Sequence, residues 1–355
     1  MNEIPKAVII PSDPISAYEK NGYGGWLERY YNPAHTFQEV FFVSPLESGT
    51  TFKYGATIIG ASSANFKRIV QDINPNIVRA YGGFWASDLA IANRIENVPI
   101  VVSLHDTSLD LIYDSVQYAD KVFCMTNAVA QQAIKKHVSS EKIRILPNRI
   151  DPNIFYPRDS SEVANIAKNF PHGKSILHVG RKSSEKNLET VIKSLKFLPQ
   201  EYFAVFVGRG NVSYYEQIAI KESVSNRCFW IDQIKNEELP IWYTWCNCMC
   251  TPSLREGFGI VFIEAMACGS PIVTSNISPL NEYLHHGENA LLVDDYMDPS
   301  AIARSILMIC EDDGLKRKLQ SNAIQSSKNF HVEKIDNLEK DLYMEVYNEC
   351  CKKRL

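Results

Sequence analysis

The sequence predicts an α/β protein built from two doubly wound domains, and three observations carry that prediction. Short apolar runs alternate with helix-length amphipathic stretches along the whole chain, the order that builds a parallel sheet with helices on both faces. The runs are apolar at consecutive positions, as strands covered on both sides require. The chain has 355 residues, enough for about two domains. Its pattern breaks once, at the polar segment from Asp151 to His172 with Pro152, Pro157 and Pro171, and then restarts. That segment reads as an interdomain linker.

In order, Lys6 to Pro11 reads as a first buried strand. The glycine-rich turn Asn21-Gly22-Tyr23-Gly24-Gly25 follows, with a helix from Trp26. Glu39 to Ser44, Asn76 to Arg79, Pro99 to Leu104, Lys121 to Met125 and Ile143 to Leu146 are further strands. Helices fall between them at Ser62 to Ile73, where Asn74-Pro75 stops the turn, at Ser87 to Ile95, and after Thr126 with Thr or Asn as cap. Beyond the break, strands are expected at Ser175 to Val179, Tyr202 to Val207, Cys228 to Ile231, Cys246 to Thr251, Pro271 to Ser275 and Ala290 to Val293. Their helices are Leu188 to Leu198, Glu237 to Tyr243, Ile260 to Cys268 (stopped by Gly269), Asp298 to Ile309 and Asp313 to Ser327. A last amphipathic helix runs from Glu333 to about Cys351. Pro45 to Gly60 and Thr107 to Tyr118 read as loops whose aromatics Phe52, Tyr54 and Tyr113 either stack on a ligand or join the core.

Composition narrows the function. Thirty-seven basic against 41 acidic residues give a net charge of −4, which excludes an overall basic nucleic-acid binder. No apolar run approaches the ~18 residues of a membrane span, and no export signal is expected at the N-terminus. Nine scattered cysteines make no disulfide framework, so a reducing cytoplasm is the expected setting. Cys246, Cys248 and Cys250 share one strand face without paired C-x-x-C spacing, which reads as core packing and not as a metal site.

Chemistry concentrates between Pro252 and Gly269. Gly257-Phe258-Gly259 joins a buried strand to a helix start, leaving backbone donors and the positive end of the helix dipole for an anion or sugar hydroxyls. Glu256 precedes the turn and Glu264 lies two helical turns on. Isolated, the pair would read as a helix-start preference and a solvated side chain. The apolar or small neighbours Ile263, Ala265, Met266 and Ala267 argue against a solvated Glu264. A second cluster, Gly180-Arg181 with Lys186-Asn187, follows a buried strand, where ligands of open sheets bind and where two cations suit a diphosphate.

These motifs resemble the E-x7-E signature of the GT-B retaining glycosyltransferases. That is the large family 4-like, group 1 set that includes sucrose synthases and bacterial mannosyl- and glucosyltransferases. The resemblance spans nearly the whole chain. It implies a GT-B fold with two Rossmann-like domains, residues 1–160 on the acceptor side and 172–330 on the donor side. The resemblance also implies a deep cleft between them and a final helix, 331–355, that crosses back to the first domain. It implies that Glu264 bonds the ribose hydroxyls and Glu256 faces the transferred sugar. The backbone of Gly257, Phe258 and Gly259 would meet sugar hydroxyls, with the Ile260 and Val261 amides near the diphosphate. Arg181 and Lys186, beside Gly180, would neutralise the leaving group. Gly24 belongs to a loose match of the family's glycine loop, in which Asn21 stands for the first glycine. His105, in Ser103-Leu104-His105-Asp106, matches the element that contacts the transferred sugar. Ile234 lies in the loop near the base. Pro147-Asn148-Arg149-Ile150-Asp151 matches a linker motif in which Arg149 replaces glycine, a strained substitution if the backbone there is left-handed.

The implied activity is transfer of a hexose-type sugar from a nucleoside diphosphate sugar to a glycan or lipid-linked saccharide. No cofactor and no metal are expected, and no Asp-x-Asp triplet occurs. The basic tail Cys351-Lys352-Lys353-Arg354 leaves open a weak contact with an anionic membrane surface at the inner face. Two rival readings remain: a GT-B nucleotide-sugar epimerase and a non-catalytic sugar-nucleotide-binding subunit.

Overall fold

A computed structural model describes residues 3–352 apart from Asn21 and Tyr23. The chain divides into two compact units, Met1–Pro147 with Glu333–Leu355, and Asn148–Val332.

The first unit holds eight strands: β1 (Ile4–Ile10), β2 (Phe37–Ser44), β3 (Thr50–Lys53), β4 (Ala56–Gly60), β5 (Ile77–Tyr81), β6 (Ile100–Leu104), β7 (Lys121–Cys124) and β8 (Ile143–Ile145). Their order is β3-β4-β2-β1-β5-β6-β7-β8. Every pairing is parallel except β3 with β4. The chain winds outward from β1 through β2 to β4, then returns to β5 on the other side of β1. The strand order therefore reverses between β1 and β5, and the crevice beyond their carboxyl ends is where open sheets take ligands. Ile77–Tyr81 and Ile100–Leu104 are buried at every position, even at the polar Arg79 and Ser103, so both faces of these strands are covered.

The second unit holds β9 (Lys174–Val179), β10 (Tyr202–Val207), β11 (Cys228–Ile231), β12 (Cys248–Cys250), β13 (Ile272–Ser275) and β14 (Leu291–Val293). The sheet is parallel throughout, in the order β11-β10-β9-β12-β13-β14, and reverses between β9 and β12. Cys248 and Cys250 are buried in its core beside Ile176 and Phe206.

Several elements differ from the sequence expectation. The stretch read as the loop Pro45 to Gly60 is mostly the β3–β4 hairpin. Its turn residues Tyr54 and Gly55 both have positive φ, 53° and 69°. Asn-Gly would announce such a turn, and Tyr-Gly conceals it. Phe52 on this hairpin is exposed, whereas Tyr54 is half-buried with its hydroxyl donating to Glu19 at 2.8 Å. The Thr107 to Tyr118 loop carries two 3₁₀ turns, Leu109–Leu111 and Asp114–Tyr118. The stretch read as a linker contains the helix Ser160–Ala167 and then Phe170, which packs among Phe203, Phe229, Trp242 and Trp245. A helix at Ser213–Lys221 was not anticipated, because Gly208-Arg209-Gly210 just before it reads as open loop. Arg149 has a negative φ, so the side chain standing where the motif has glycine brings no left-handed strain. Of the expected Thr or Asn cap, Thr126 is the residue used, its hydroxyl accepting from the Val129 amide; Asp298 and Asp312 cap the helices Pro299–Glu311 and Asp313–Ser327 by accepting from the Ser300 and Leu315 amides.

The last helix, Val332–Lys352, lays Ile335, Leu342, Tyr343 and Val346 onto the first unit's core. Its Glu339 pairs with Arg79 of β5. Glu345 and Glu349 each lie 3.2 Å from Lys121. The remaining basic tail, Lys353 and Arg354, lies outside the described residues. Among the described residues no helix is long and apolar enough to cross a membrane.

Candidate active site

In the second unit the two predicted clusters meet at the strand-order reversal. Gly180 and Arg181 leave the end of β9, and Pro252 to Gly259 leave the end of β12. Lys186 closes a short 3₁₀ turn after β9, and its ammonium reaches the Glu256 carboxylate at 2.5 Å. The same oxygen, Oε1, accepts from the Ser253 hydroxyl at 2.8 Å. Both side chains are mostly buried, 15% exposed for Lys186 and 7% for Glu256. A cation and an anion so placed are oriented before any ligand arrives.

Arg181 behaves differently. Its side chain is 76% exposed and lies 3.7 Å from Glu185, which also pairs with Arg255 at 2.6 Å. Between the two expected cations, Lys182 turns inward instead. Its ammonium donates to the carbonyls of Gly208 and Ile231, tying the ends of β10 and β11. The sequence reading gave Lys182 no role. His178, one residue before the end of β9, is buried with Nδ1 3.2 Å from the Cys250 carbonyl, and burial pushes its pKa down to about 3. It is a neutral core histidine.

Past β12 the chain reaches the helix Ile260–Ala267 through Gly259, which has φ 84°. A Cβ there would stand 2.7 Å from the Phe262 ring, so the turn requires glycine twice over. Phe258 is buried and stacks on Tyr283 at 5.1 Å. The Tyr283 hydroxyl donates to the carbonyls of Phe258 at 2.6 Å and Gly259 at 3.3 Å. The Phe258 side chain thus serves as an anchor. The amides of Ile260 and Val261 open the helix, where no preceding turn supplies acceptors. Ile234 sits half-buried in the loop after β11.

Glu264 is 3% exposed, and its Oε2 accepts from the Tyr243 hydroxyl at 2.9 Å. Burial raises its pKa from 4.5 to about 7, against the lowering effect of that hydrogen bond. The folded state therefore holds a proton that the unfolded chain has lost between 4.5 and about 7. This group's contribution to stability falls as pH rises across that window and is level above it.

In the first unit, a cavity of about 150 Å³ lies at the other strand-order reversal. Ser12 and Asp13 after β1, Gly82 and Gly83 after β5, and His105 and Asp106 after β6 line it. His105 was anticipated there; Asp13 and the Gly82-Gly83 pair were not, although two glycines at a strand end are a readable signal. Gly24 lies elsewhere in this unit, under the β3–β4 turn. A Cβ at Gly24 would stand 2.7 Å from the Tyr54 hydroxyl, so hairpin packing already accounts for this glycine. Asn21 and Tyr23 of the same loop lie outside the described residues.

Family models match both units: "Glycosyl transferases group 1" over residues 161–326 and "Glycosyltransferase Family 4" over 29–154. Together the two models match most of the chain, which belongs to the glycosyltransferases they describe. It is 27% identical over 227 residues to a D-inositol 3-phosphate glycosyltransferase of Xylanimonas cellulosilytica. That alignment covers 61% of this chain and 54% of the relative, so the chain matches only about half the length of that relative. Among solved structures it resembles HepE of Anabaena in complex with UDP, with TM-score 0.80, 18% identity and coverage of 96% of this chain and 100% of that one. It also resembles a sucrose-phosphate synthase from Thermosynechococcus elongatus, with TM-score 0.79, 19% identity and coverage of 98% and 100%. The fold of this glycosyltransferase is accordingly GT-B, with two Rossmann-like domains.

Proposed function

We propose that this glycosyltransferase moves a hexose-type sugar from a nucleoside diphosphate sugar to a hydroxyl of a glycan or lipid-linked saccharide, with retention and without a metal. The observation that carries the reading is the Lys186–Glu256 pair at the strand-order reversal, beside a helix N-terminus. Cleavage of the bond between C1 and the diphosphate oxygen puts negative charge on the leaving group and positive charge on the sugar ring. Lys186, Arg181 and the Ile260 and Val261 amides stabilise the first charge, and Glu256 the second. The acceptor oxygen bonds C1 on the face the diphosphate leaves. Its proton passes to a phosphate oxygen of the leaving group. His105 orients the sugar hydroxyls. The uridine bound by HepE makes UDP-sugars the first donors to try.

A panel of UDP-, GDP- and ADP-sugars, read by thermal shift and by donor hydrolysis, tests this. One family of donors should raise the melting temperature and be hydrolysed slowly in excess EDTA, with the product formed as the α-anomer from an α-linked donor. Loss of turnover in EDTA would remove the metal-free mechanism. Epimerised nucleotide sugar as the product would revive the epimerase reading.

Glu264 supplies a pH test of the donor site. Ribose hydroxyls donate to an ionised carboxylate, so donor affinity should rise with pH through about 7, where burial holds this group. Glu264→Gln should flatten that profile and weaken binding at pH 8 by roughly tenfold or more, the worth of a hydrogen bond to a charge. Titration calorimetry at pH 6, 7 and 8 measures both. An unchanged profile in the variant would remove Glu264 from the ribose.

A further inference from the structure

We infer that Tyr81 is a positioning residue for His105, held in place by the last helix through Arg79. The inference rests on the proposed role of His105 at the transferred sugar. His105 lies one residue past the end of β6, beyond the ladder that fixes the strand, and a ring packed against it there helps to set its orientation. That ring is Tyr81: the two rings stack at 6.0 Å between centroids and 22° between planes.

Tyr81 is itself immobilised. It is the last residue of β5 and 3% exposed. Tyr31 meets its ring edge-on at 4.8 Å, and Tyr30 lies 5.5 Å away. Arg79, two residues earlier on the same face of the strand, places its guanidinium carbon 4.2 Å from the Tyr81 ring centroid. Arg79 is fixed in turn: Nε donates to Ser103 Oγ at 2.9 Å, and Nη1 donates to Glu339 and the Tyr343 hydroxyl of the last helix. Helix, guanidinium, phenol and imidazole form one continuous column that ends at the first unit's cavity. The Tyr81 hydroxyl is buried without a hydrogen-bond partner. The ring, and not the hydroxyl, is therefore the working part.

The test compares Tyr81→Phe, Tyr81→Leu, His105→Ala and the Tyr81→Leu/His105→Ala double variant in the full chain. With ¹³C-labelled histidine, the His105 ring resonances, assigned by their loss in His105→Ala, should keep their shifts in Tyr81→Phe. They should move and broaden in Tyr81→Leu as the ring current and the stack disappear. Turnover is read with whichever of UDP-, GDP- or ADP-glucose the chain hydrolyses. Tyr81→Leu should lower kcat about tenfold with donor KM within about twofold, since small misplacements of an orienting group cost that much. Tyr81→Phe should match the unaltered chain, and the double variant should be no slower than His105→Ala alone. Unmoved His105 resonances in Tyr81→Leu overturn the inference, as do losses that multiply in the double variant. Full turnover in His105→Ala overturns the role of His105 in the proposed reaction, and the resonances then still decide whether Tyr81 orients the ring.

Discussion

Lys186→Ala should lower kcat by about 10²–10³, the cost of removing one preorganised donor from a site of developing charge. The effect comes from two directions. The ammonium stops neutralising the diphosphate as the C1–O bond breaks. It also takes its charge away from Glu256, which accepts from the Ser253 hydroxyl and is almost fully buried. The carboxylate loses the ammonium that orients it, and the sugar loses a correctly placed anionic partner. Glu256→Gln should therefore also be slow, and the Lys186→Ala/Glu256→Gln double variant should fall far less than the product of the two losses. Arg181→Ala removes a charge from an exposed side chain beside Glu185, so its loss should be smaller, about tenfold. Steady-state kinetics with the hydrolysed donor, with melting temperatures as a folding check, separate these cases. Near-normal turnover in folded Lys186→Ala would end the diphosphate assignment.

Much of this site was legible because its chemistry is contiguous in sequence. Arg181 and Lys186 flank one turn, and Glu256 to Glu264 span one strand-to-helix junction, so the spacing alone marks them. The Lys186–Glu256 bond joins residues 70 positions apart. It exists because β12 returns to lie beside β9, a sheet order that no local pattern states. Glu264 illustrates the same limit. Its apolar neighbours announced burial, which raises the carboxyl to about 7, but its partner Tyr243, whose hydrogen bond lowers it, comes from another helix. Lys182 and Arg181 are adjacent cations with opposite fates, decided by whether strand-end carbonyls lie within reach. The β3–β4 hairpin stayed hidden because Tyr54 occupies a positive-φ turn position usually taken by asparagine, and because all four residues of β3 face solvent. Gly24 shows the converse: a glycine read as an approach to phosphate has a sufficient local reason in the Tyr54 hydroxyl.

Glu339→Ala should destabilise the first unit by about 3–5 kcal/mol, the cost of breaking a buried ion pair from one side. Arg79 and Glu339 side chains are 3% and 0% exposed, so water does not screen the charge that remains. The stranded guanidinium keeps Ser103, the Tyr343 hydroxyl and the faces of Tyr81, Phe123 and Tyr343 at 4.2, 5.4 and 5.2 Å. These contacts soften the loss without supplying a counter-charge. For a unit of this size the melting temperature should drop by roughly 10 °C. Glu349→Ala breaks another contact of the same helix, to Lys121 at 3.2 Å, but Glu349 is 50% exposed and Lys121 keeps Glu345 at 3.2 Å, so its loss should cost about 1 kcal/mol or less. The comparison separates burial from pairing, because both variants delete one ion pair on one helix. Replacing both charges, as in Arg79→Met/Glu339→Leu, should recover much of the lost stability, since the desolvation cost disappears together with the attraction. Calorimetric unfolding of the four proteins measures the series. Equal effects of Glu339→Ala and Glu349→Ala would mean that the buried pair does not hold the last helix to the sheet.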